Sequence, residues 1–148
     1  DQQVPVFDAS DTRFLSPGNM PERIIEYFTE RDEVAPVGRT EMVRSIFESL
    51  AASFAHAVET ACALSGSTAS VVHIVGGGSQ YELLCQLTAD QLGRPVLAGP
   101  TEATALGNVL VQARSQGLVS GSLESLRSMV ATAFAPKIFS PRPSGMRR

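Results

Sequence analysis

The chain has 148 residues, of which 43% are hydrophobic and 18% charged, and it carries a net charge of −3. These values are typical of a globular chain of about one domain. Eleven of its twelve basic residues are arginines scattered along the sequence, without the basic stripe that binding to a nucleic-acid backbone needs. No run approaches the roughly 20 consecutive apolar residues of a membrane span. We therefore expect neither a nucleic-acid partner nor a membrane anchor.

The residue at position 1 is Asp1 rather than Met, and no basic and then apolar leader follows it. We expect either a processed chain or a piece of a longer one. Cys62 and Cys85 lie too far apart for a zinc knuckle and are too few for a disulfide scaffold. The sequence thus predicts two reduced, largely buried thiols in a cytoplasmic protein, and a single bridge between them stays open as the alternative.

Residues 1–38 are predicted to form a loop-rich segment, because prolines and glycines punctuate them. One short helix is predicted there from Pro21 to about Phe28, since Pro suits the first helical turn. The clearest helix of the chain is predicted from Thr40 until Gly66 stops it. Its apolar side chains recur at three- and four-residue steps, which indicates that one stripe faces a core.

A β-branched run, Val71–Val75, predicts a strand of a parallel sheet, buried on both faces. Three glycines, Gly76–Gly78, follow it directly. Ser79 and Glu82 then have the spacing of a capping box, in which both side chains bond the first amides of a helix that reaches about Leu92. The unit is therefore a strand, a glycine turn and a helix.

The same order repeats once: a short apolar run, Pro95–Ala98, precedes the turn Gly99–Pro100 and a helix from Thr101–Glu102 to Gly117. Small residues four apart give that helix a face that another backbone can approach closely: Ala103, Gly107 and Val111. An amphipathic helix is predicted over Ser122 to about Thr132, and residues 136–148 are predicted as an extended tail, frayed at its end.

This order of elements predicts an α/β fold with at least two short parallel strands among packed helices. Two strands do not make a stable sheet, because usual sheets have about five or six. Either the amino-terminal loops add strands, or partner strands come from another part of a longer chain.

The glycine turn is a candidate nucleotide site, because absent β-carbons let a ligand approach the backbone at a helix start. It is not a Walker loop, since Glu82 and Leu83 stand where that loop needs Lys and Ser or Thr. It is not a dinucleotide fingerprint either, since Tyr81 stands where the third glycine belongs. A tight turn that only lets the helix pack on the strand and a nucleotide site both stay open.

Groups for acid–base, nucleophilic or metal chemistry are not apparent. No Ser-His-Asp order, Cys-His pair or close carboxylate pair stands near either turn. His56 and His73 are expected to be structural, and Asp8 and Asp11 to be solvated loop acids. The sequence therefore predicts no catalytic residue and no metal ligand of its own.

Five sequence segments resemble the carboxy-terminal domain of the FGGY carbohydrate kinases. Among these kinases, they resemble the rhamnulokinase subfamily. The resemblance rests on residues 8–21, 44–51, 71–80, 83–90 and 99–108 and reaches about Pro141. It implies the later part of an actin-like ATPase domain of the ribonuclease H-like kind, with residues 39–135 as its nucleotide-binding subdomain and the remaining strands upstream of Asp1.

The resemblance also implies a site and its cofactors. Gly76, Gly77, Gly78 and Ser79 match the family's adenosine-binding turn, whose backbone lies against ATP, and Gln80 falls just inside the next helix. Tyr81 departs from an Asn frequent in the family, which affects side-chain contacts there but not backbone ones. Thr101 and Glu102 match a helix start beside the cleft and are assigned only capping and packing.

The reaction that the resemblance implies is transfer of a phosphoryl group from ATP with Mg²⁺ to the 1-hydroxyl of the ketose L-rhamnulose. The catalytic aspartate and the phosphate-gripping segments would precede Asp1, in a missing amino-terminal domain, so the chain alone is expected to be inactive. Two alternatives stay open: a free-standing non-catalytic nucleotide-binding or interaction domain, and a kinase for another ketose or polyol. Self-association is also expected, because an isolated half-domain would expose apolar surface.

Overall fold

Five α-helices and three short strands make up residues 4–143, the part of the chain that the computed structural model describes. In chain order they are α1 (Met20–Thr29), α2 (Gly38–Ser65), β1 (Val72–Ile74), α3 (Glu82–Leu92), β2 (Val96–Ala98), α4 (Ala103–Ser115), α5 (Leu123–Ala133) and β3 (Lys137–Phe139). Short 3-10 turns cover Thr12–Phe14 and Gly77–Gln80. The helices thus begin and end within two or three residues of the predicted bounds.

The amino-terminal loops and α1 share an aromatic core with the start of α2. Pro21 lies in the first turn of α1, as predicted, and Ile24 and Phe28 are fully buried. The buried members of this core are Phe7, Ile24, Tyr27, Phe28 and Met42. Because the Phe7 ring contacts several of the other rings at centroid distances of 5.0–6.2 Å, the amino-terminal segment is held against the helices.

The long helix α2 connects this core to the rest of the molecule. Ser45 donates a hydrogen bond to the Pro5 carbonyl at 2.6 Å, and Ser49 accepts one from the Phe7 amide at 3.0 Å. The helix ends at Gly66, whose left-handed conformation (φ 64°) turns its amide back to the Cys62 carbonyl. Gly66 is therefore the stop that the sequence predicted.

The sheet has the order β1-β2-β3. β1 and β2 are parallel, with Val72 opposite Val96 and Ile74 opposite Ala98, as the repeated strand–turn–helix order predicted. β3 pairs antiparallel with the other side of β2, and Phe139 lies opposite Val96. Lys137–Phe139 thus lie in the segment predicted to be extended, but their pairing with β2 was not predicted. A strand of three residues between prolines is too short to show a periodicity.

β1 is less buried than predicted. Val71 is 36% and Val75 50% exposed, and His73 is also exposed. Val71, His73 and Val75 alternate along the chain and so share one face of the sheet. On that face His73 borders an open cavity lined also by residues of α4 and α5, which leaves its side chain exposed.

The sheet packs on α3, and α3 packs on α2. Buried members of this core come from α3 and from two of the three strands: Cys85, Ala89, Leu92, Val96, Ala98 and Phe139. Cys62 and Cys85 are both free thiols, as expected, but Cys85 alone of the two is buried and Cys62 is half-buried. Burial raises the pKa of the Cys85 thiol, so Cys85 behaves as a small apolar core residue.

One buried carboxylate, Asp90 on α3, binds the segment that follows β3. Asp90 is 3% exposed. Its Oδ1 accepts hydrogen bonds from the Arg142 amide at 2.7 Å and from Gln86 Nε2 at 2.9 Å. Its Oδ2 accepts from Arg142 Nε at 2.9 Å and Nη2 at 2.6 Å. Burial by itself raises the pKa of Asp90, but the bonds from Arg142 and Gln86 outweigh it and lower the pKa below the ordinary value of an aspartate.

Replacing this carboxylate should have a pH-dependent effect. Asp90→Asn should lower the free energy of unfolding by about 1–2 kcal/mol at about pH 6, where the wild-type carboxylate is ionised. Since the folded pKa is lowered, this stabilisation is present above the ordinary pKa and is lost as pH falls through the folded value. Urea unfolding at about pH 6 and about pH 3 should therefore show the difference between wild type and variant shrinking at the lower pH. A constant difference would contradict the assignment.

None of the helices in residues 4–143 is both long enough and apolar enough to cross a membrane. The predicted fraying over residues 146–148 lies outside the described residues.

Candidate functional site

The glycine turn lies where β1 ends. Gly76 has φ 76° and ψ −163°, a combination that is open essentially to glycine alone. Gly77–Gln80 then form a 3-10 turn, and α3 begins at Glu82. The first amides of such a turn have no acceptor within it, so Gly77 and Gly78 present their N–H groups at the edge of the sheet.

The second turn lies directly against the first. The Gly76 amide donates to the Pro100 carbonyl at 3.2 Å, and the Gly99 amide donates to the Ile74 carbonyl at 2.9 Å. The Gly99–Pro100 peptide is cis. The two strands therefore end at the same edge of the sheet, and the two turns lie side by side there, as expected for neighbouring parallel strands.

The predicted capping box does not form. The Ser79 hydroxyl donates to the Gly76 carbonyl at 2.7 Å, while Glu82 pairs with the Lys137 ammonium group. Tyr81 occupies the N-cap position and its side chain makes no capping bond. The reason is the 3-10 turn, which takes up Ser79 and so moves the helix start two residues beyond the position that the spacing implied.

The predicted capping by Thr101 and Glu102 is not observed either. Glu102 is the N-cap of α4, but its side chain makes no capping bond. The Thr101 hydroxyl instead accepts a hydrogen bond from Gln80 Nε2 at 3.5 Å. Gln80 and Thr101 therefore link the two turns by their side chains.

The three glycines differ in how much space surrounds them. A β-carbon added at Gly77 would meet no atom within 4 Å. One added at Gly78 would meet Ile74 Cγ2 at 3.7 Å, and one at Gly76 the Thr101 carbonyl oxygen at 4.0 Å. Packing against this chain therefore does not require glycine at Gly77 or Gly78, whereas the backbone conformation does require it at Gly76.

An open cavity of about 610 Å³ lies beside the turn. Its lining residues are Ser79, Ala98, Gly99, Pro100, Thr101, Glu102, Leu106, Phe134 and Ala135. This volume lies within the range of small-molecule and cofactor sites. The cavity is thus large enough for part of a nucleotide, and its floor is the end of the sheet.

Phe134 and Ala135 belong to this cavity and were not predicted from the sequence. They follow α5, more than thirty residues beyond the second turn, and reach the site because β3 folds back along β2. No local spacing connects them to the glycines. Only the sheet topology places them there.

A second cavity of about 480 Å³ lies between α4 and α5 and is mostly apolar. Gly107 lines it, together with His73 from β1. The close approach of another backbone to the small-residue face of α4 is not seen in residues 4–143, because a β-carbon at Gly107 would meet no atom within 4 Å. That face borders open space.

The described residues offer backbone amides and hydroxyls at the site and no metal centre. No three His, Cys, Asp or Glu side chains among residues 4–143 stand close enough to hold a metal ion. Asp8 accepts from the Ser10 hydroxyl, and Asp11 from the Arg13 amide, and these bonds lower the pKa of each carboxyl. They stabilise local turns of the amino-terminal loop, far along the chain from the glycine turn.

Comparison with known proteins places the chain in a family. The model of the FGGY family of carbohydrate kinases, C-terminal domain, matches residues 1–116. A rhamnulokinase of Bacteroides thetaiotaomicron is 36% identical over 93% of this chain and 28% of its own length. The rhamnulokinase of Enterococcus faecalis is 37% identical over 92% of the chain, and that of Mannheimia succiniciproducens 40% over 90%.

The chain spans about 28% of the length of the curated relatives that it matches. The resemblance seen in the sequence is thereby confirmed. The mixed sheet with packed helices agrees with the actin-like ATPase fold of this domain. The chain belongs to the C-terminal domain of the FGGY family of carbohydrate kinases.

Proposed function

We propose that this chain is the ATP-binding part of a kinase that transfers the γ-phosphoryl group of ATP to the 1-hydroxyl of L-rhamnulose. The observation that carries the proposal is the turn Gly76–Gln80, which ends a strand beside an open cavity of about 610 Å³ in a chain of this family. The names of its relatives support the sugar.

Each residue of the turn has a part in this proposal. The backbone of Gly76, Gly77 and Gly78 lies along the nucleotide in this proposal, and the space around Gly77, where an added β-carbon would meet no atom of this chain within 4 Å, leaves room for it. Ser79 holds the turn closed through its bond to the Gly76 carbonyl, and Gln80 holds it to Thr101. Backbone amides at a turn of this kind favour an anionic or polar ligand.

The remaining chemistry is assigned to the part of the parent protein outside this chain. Phosphoryl transfer depends on positioning and on neutralisation of charge by a metal ion. In this proposal the catalytic aspartate, the sugar contacts and carboxylates that hold Mg²⁺ together with the ATP phosphates belong to the amino-terminal domain. A cytoplasmic location is part of the same proposal.

The direct test uses the intact parent protein with ATP and a panel of ketoses and polyols. We expect formation of rhamnulose 1-phosphate, with L-rhamnulose giving the highest kcat/KM. Preference for another sugar would contradict L-rhamnulose as the substrate but would leave the assignment as a sugar kinase unchanged. Failure to bind ATP at all would instead favour a non-catalytic interaction domain.

A methyl group at Gly77 tests the nucleotide contact itself. Gly77→Ala should raise the KM for ATP roughly tenfold, a steric cost of about 1.4 kcal/mol. Because the added β-carbon meets no protein atom within 4 Å, the thermal midpoint should stay at the wild-type value.

The matched control is Gly107→Ala, which also adds a methyl group in open space but beside the second cavity. It should leave the KM for ATP unchanged. An unchanged KM in both variants would remove Gly77 from the nucleotide site.

A further inference from the structure

Residues 137–142, which we call the C-terminal strap, run along β2 and along α3, the helix that follows the glycine turn. The strap begins as β3 beside β2, and Phe139 enters the core with Cys85 and Val96. It ends where Arg142 binds Asp90 at the far end of α3. One short segment therefore joins the sheet to α3.

The strap contacts α3 along most of its length. Glu82 pairs with Lys137, Gln86 Nε2 donates to the Ser140 carbonyl at 2.9 Å, and Asp90 binds Arg142. Residues 82, 86 and 90 are four apart, so they share one face of the helix. The Asp90 contact is the strongest of the three, because it is buried, ionic and made by several hydrogen bonds.

The position of α3 in turn fixes the glycine turn. The Cys85 amide donates to the Tyr81 carbonyl at 3.1 Å. Cys85 Sγ lies 3.9 Å from the Gly78 carbonyl oxygen and 3.8 Å from that of Ser79. The thiol is fully buried, so a shift of α3 along the sheet moves these carbonyls with it.

We propose that Asp90 and Arg142 are positioning residues for the nucleotide-contacting turn Gly76–Gln80 and act on it through α3. The inference rests on the proposed function, since it takes the turn to contact ATP. The strap lies beyond residue 116, where the match to the family model ends.

The test uses the intact parent kinase with Arg142→Ala, Arg142→Lys and the isosteric Asp90→Asn. We expect the KM for ATP to rise about tenfold in Arg142→Ala, while the KM for the sugar changes less than about twofold. Arg142→Lys should recover part of the ATP affinity because it keeps the charge. The control is Arg44→Ala, which removes an ion pair with Glu48 within α2 and should leave both KM values unchanged.

Hydrogen–deuterium exchange gives a readout that does not depend on turnover. Arg142→Ala and Asp90→Asn should exchange faster in peptides that cover residues 76–85, with no change in those covering α1. If Arg142→Ala fails to fold, Arg142→Lys and Asp90→Asn carry the test.

The outcomes separate this inference from the proposed function. A wild-type parent that neither binds nor uses ATP overturns both. A wild-type parent that uses ATP, with variants that keep the wild-type KM for ATP, overturns only the positioning role. Equal rises in the KM for ATP and for the sugar would also overturn it, because they indicate general loosening of the enzyme.

Discussion

Gly76→Ala is expected to abolish the ATP-dependent turnover that we propose for the parent protein and to lower the free energy of unfolding by about 1–3 kcal/mol. At φ 76° and ψ −163°, Gly76 adopts a conformation that an L-alanine avoids. An alanine there would rotate the backbone, which would break the bond from the Gly76 amide to the Pro100 carbonyl. The two turns beside the cavity would then separate.

The matched control is Gly78→Ala in the same turn. Its added β-carbon would meet Ile74 Cγ2 at 3.7 Å, an ordinary contact, and its φ is not positive. Thermal unfolding should therefore place Gly78→Ala near wild type and Gly76→Ala well below it. Equal melting of the two variants would show that conformation is not what requires glycine at Gly76.

Phe28→Ala should lower the free energy of unfolding by about 3–5 kcal/mol, the largest stability effect that we predict. Phe28 is 1% exposed and lies at the centre of the aromatic core formed with Phe7 and Tyr27. Its removal leaves a cavity that these rings cannot close without losing their own contacts. Urea unfolding measures the loss.

The control on the same helix is Ile25→Ala, since Ile25 is 43% exposed. It should cost less than about 1 kcal/mol, because much of that side chain is already in water. A loss below about 1 kcal/mol for Phe28→Ala would mean that the amino-terminal loops do not form a packed core with α1.

The helices could be predicted because their signals are local. Proline in the first turn identified α1, and periodic apolar residues with a stop at Gly66 identified α2. Ser122 was predicted to open α5, and its hydroxyl does accept from the Ser125 amide. In each of these helices the sequence within one or two turns decides the structure.

The failures arise where distant parts of the chain decide the outcome. The spacing of Ser79 and Glu82 fits a capping box. In the structure, however, the Ser79 hydroxyl bonds the Gly76 carbonyl within the 3-10 turn, and Glu82 forms an ion pair with Lys137 of the strap. The apolar run of β1 fits a strand covered on both faces, yet such a run cannot say how closely distant helices pack on each face. β3 gave no periodic signal at all, because it has three residues.

The candidate site divides in the same way. The position of the glycine turn between a strand and a helix was predictable from a run of three glycines after β-branched residues. The hydrogen bond between Gly76 and Pro100 and the presence of Phe134 in the cavity could not be predicted, because both depend on how the strands pair.

The late position of β3 has a consequence for synthesis. During translation β2 emerges about forty residues before the strand that covers its second edge. In that interval β2 exposes unpaired N–H and C=O groups, and such an edge can pair with a neighbouring nascent chain. Ribosome pausing between residues 100 and 137 would lengthen the interval, so codon choice in this stretch of the gene should influence how much of the protein aggregates.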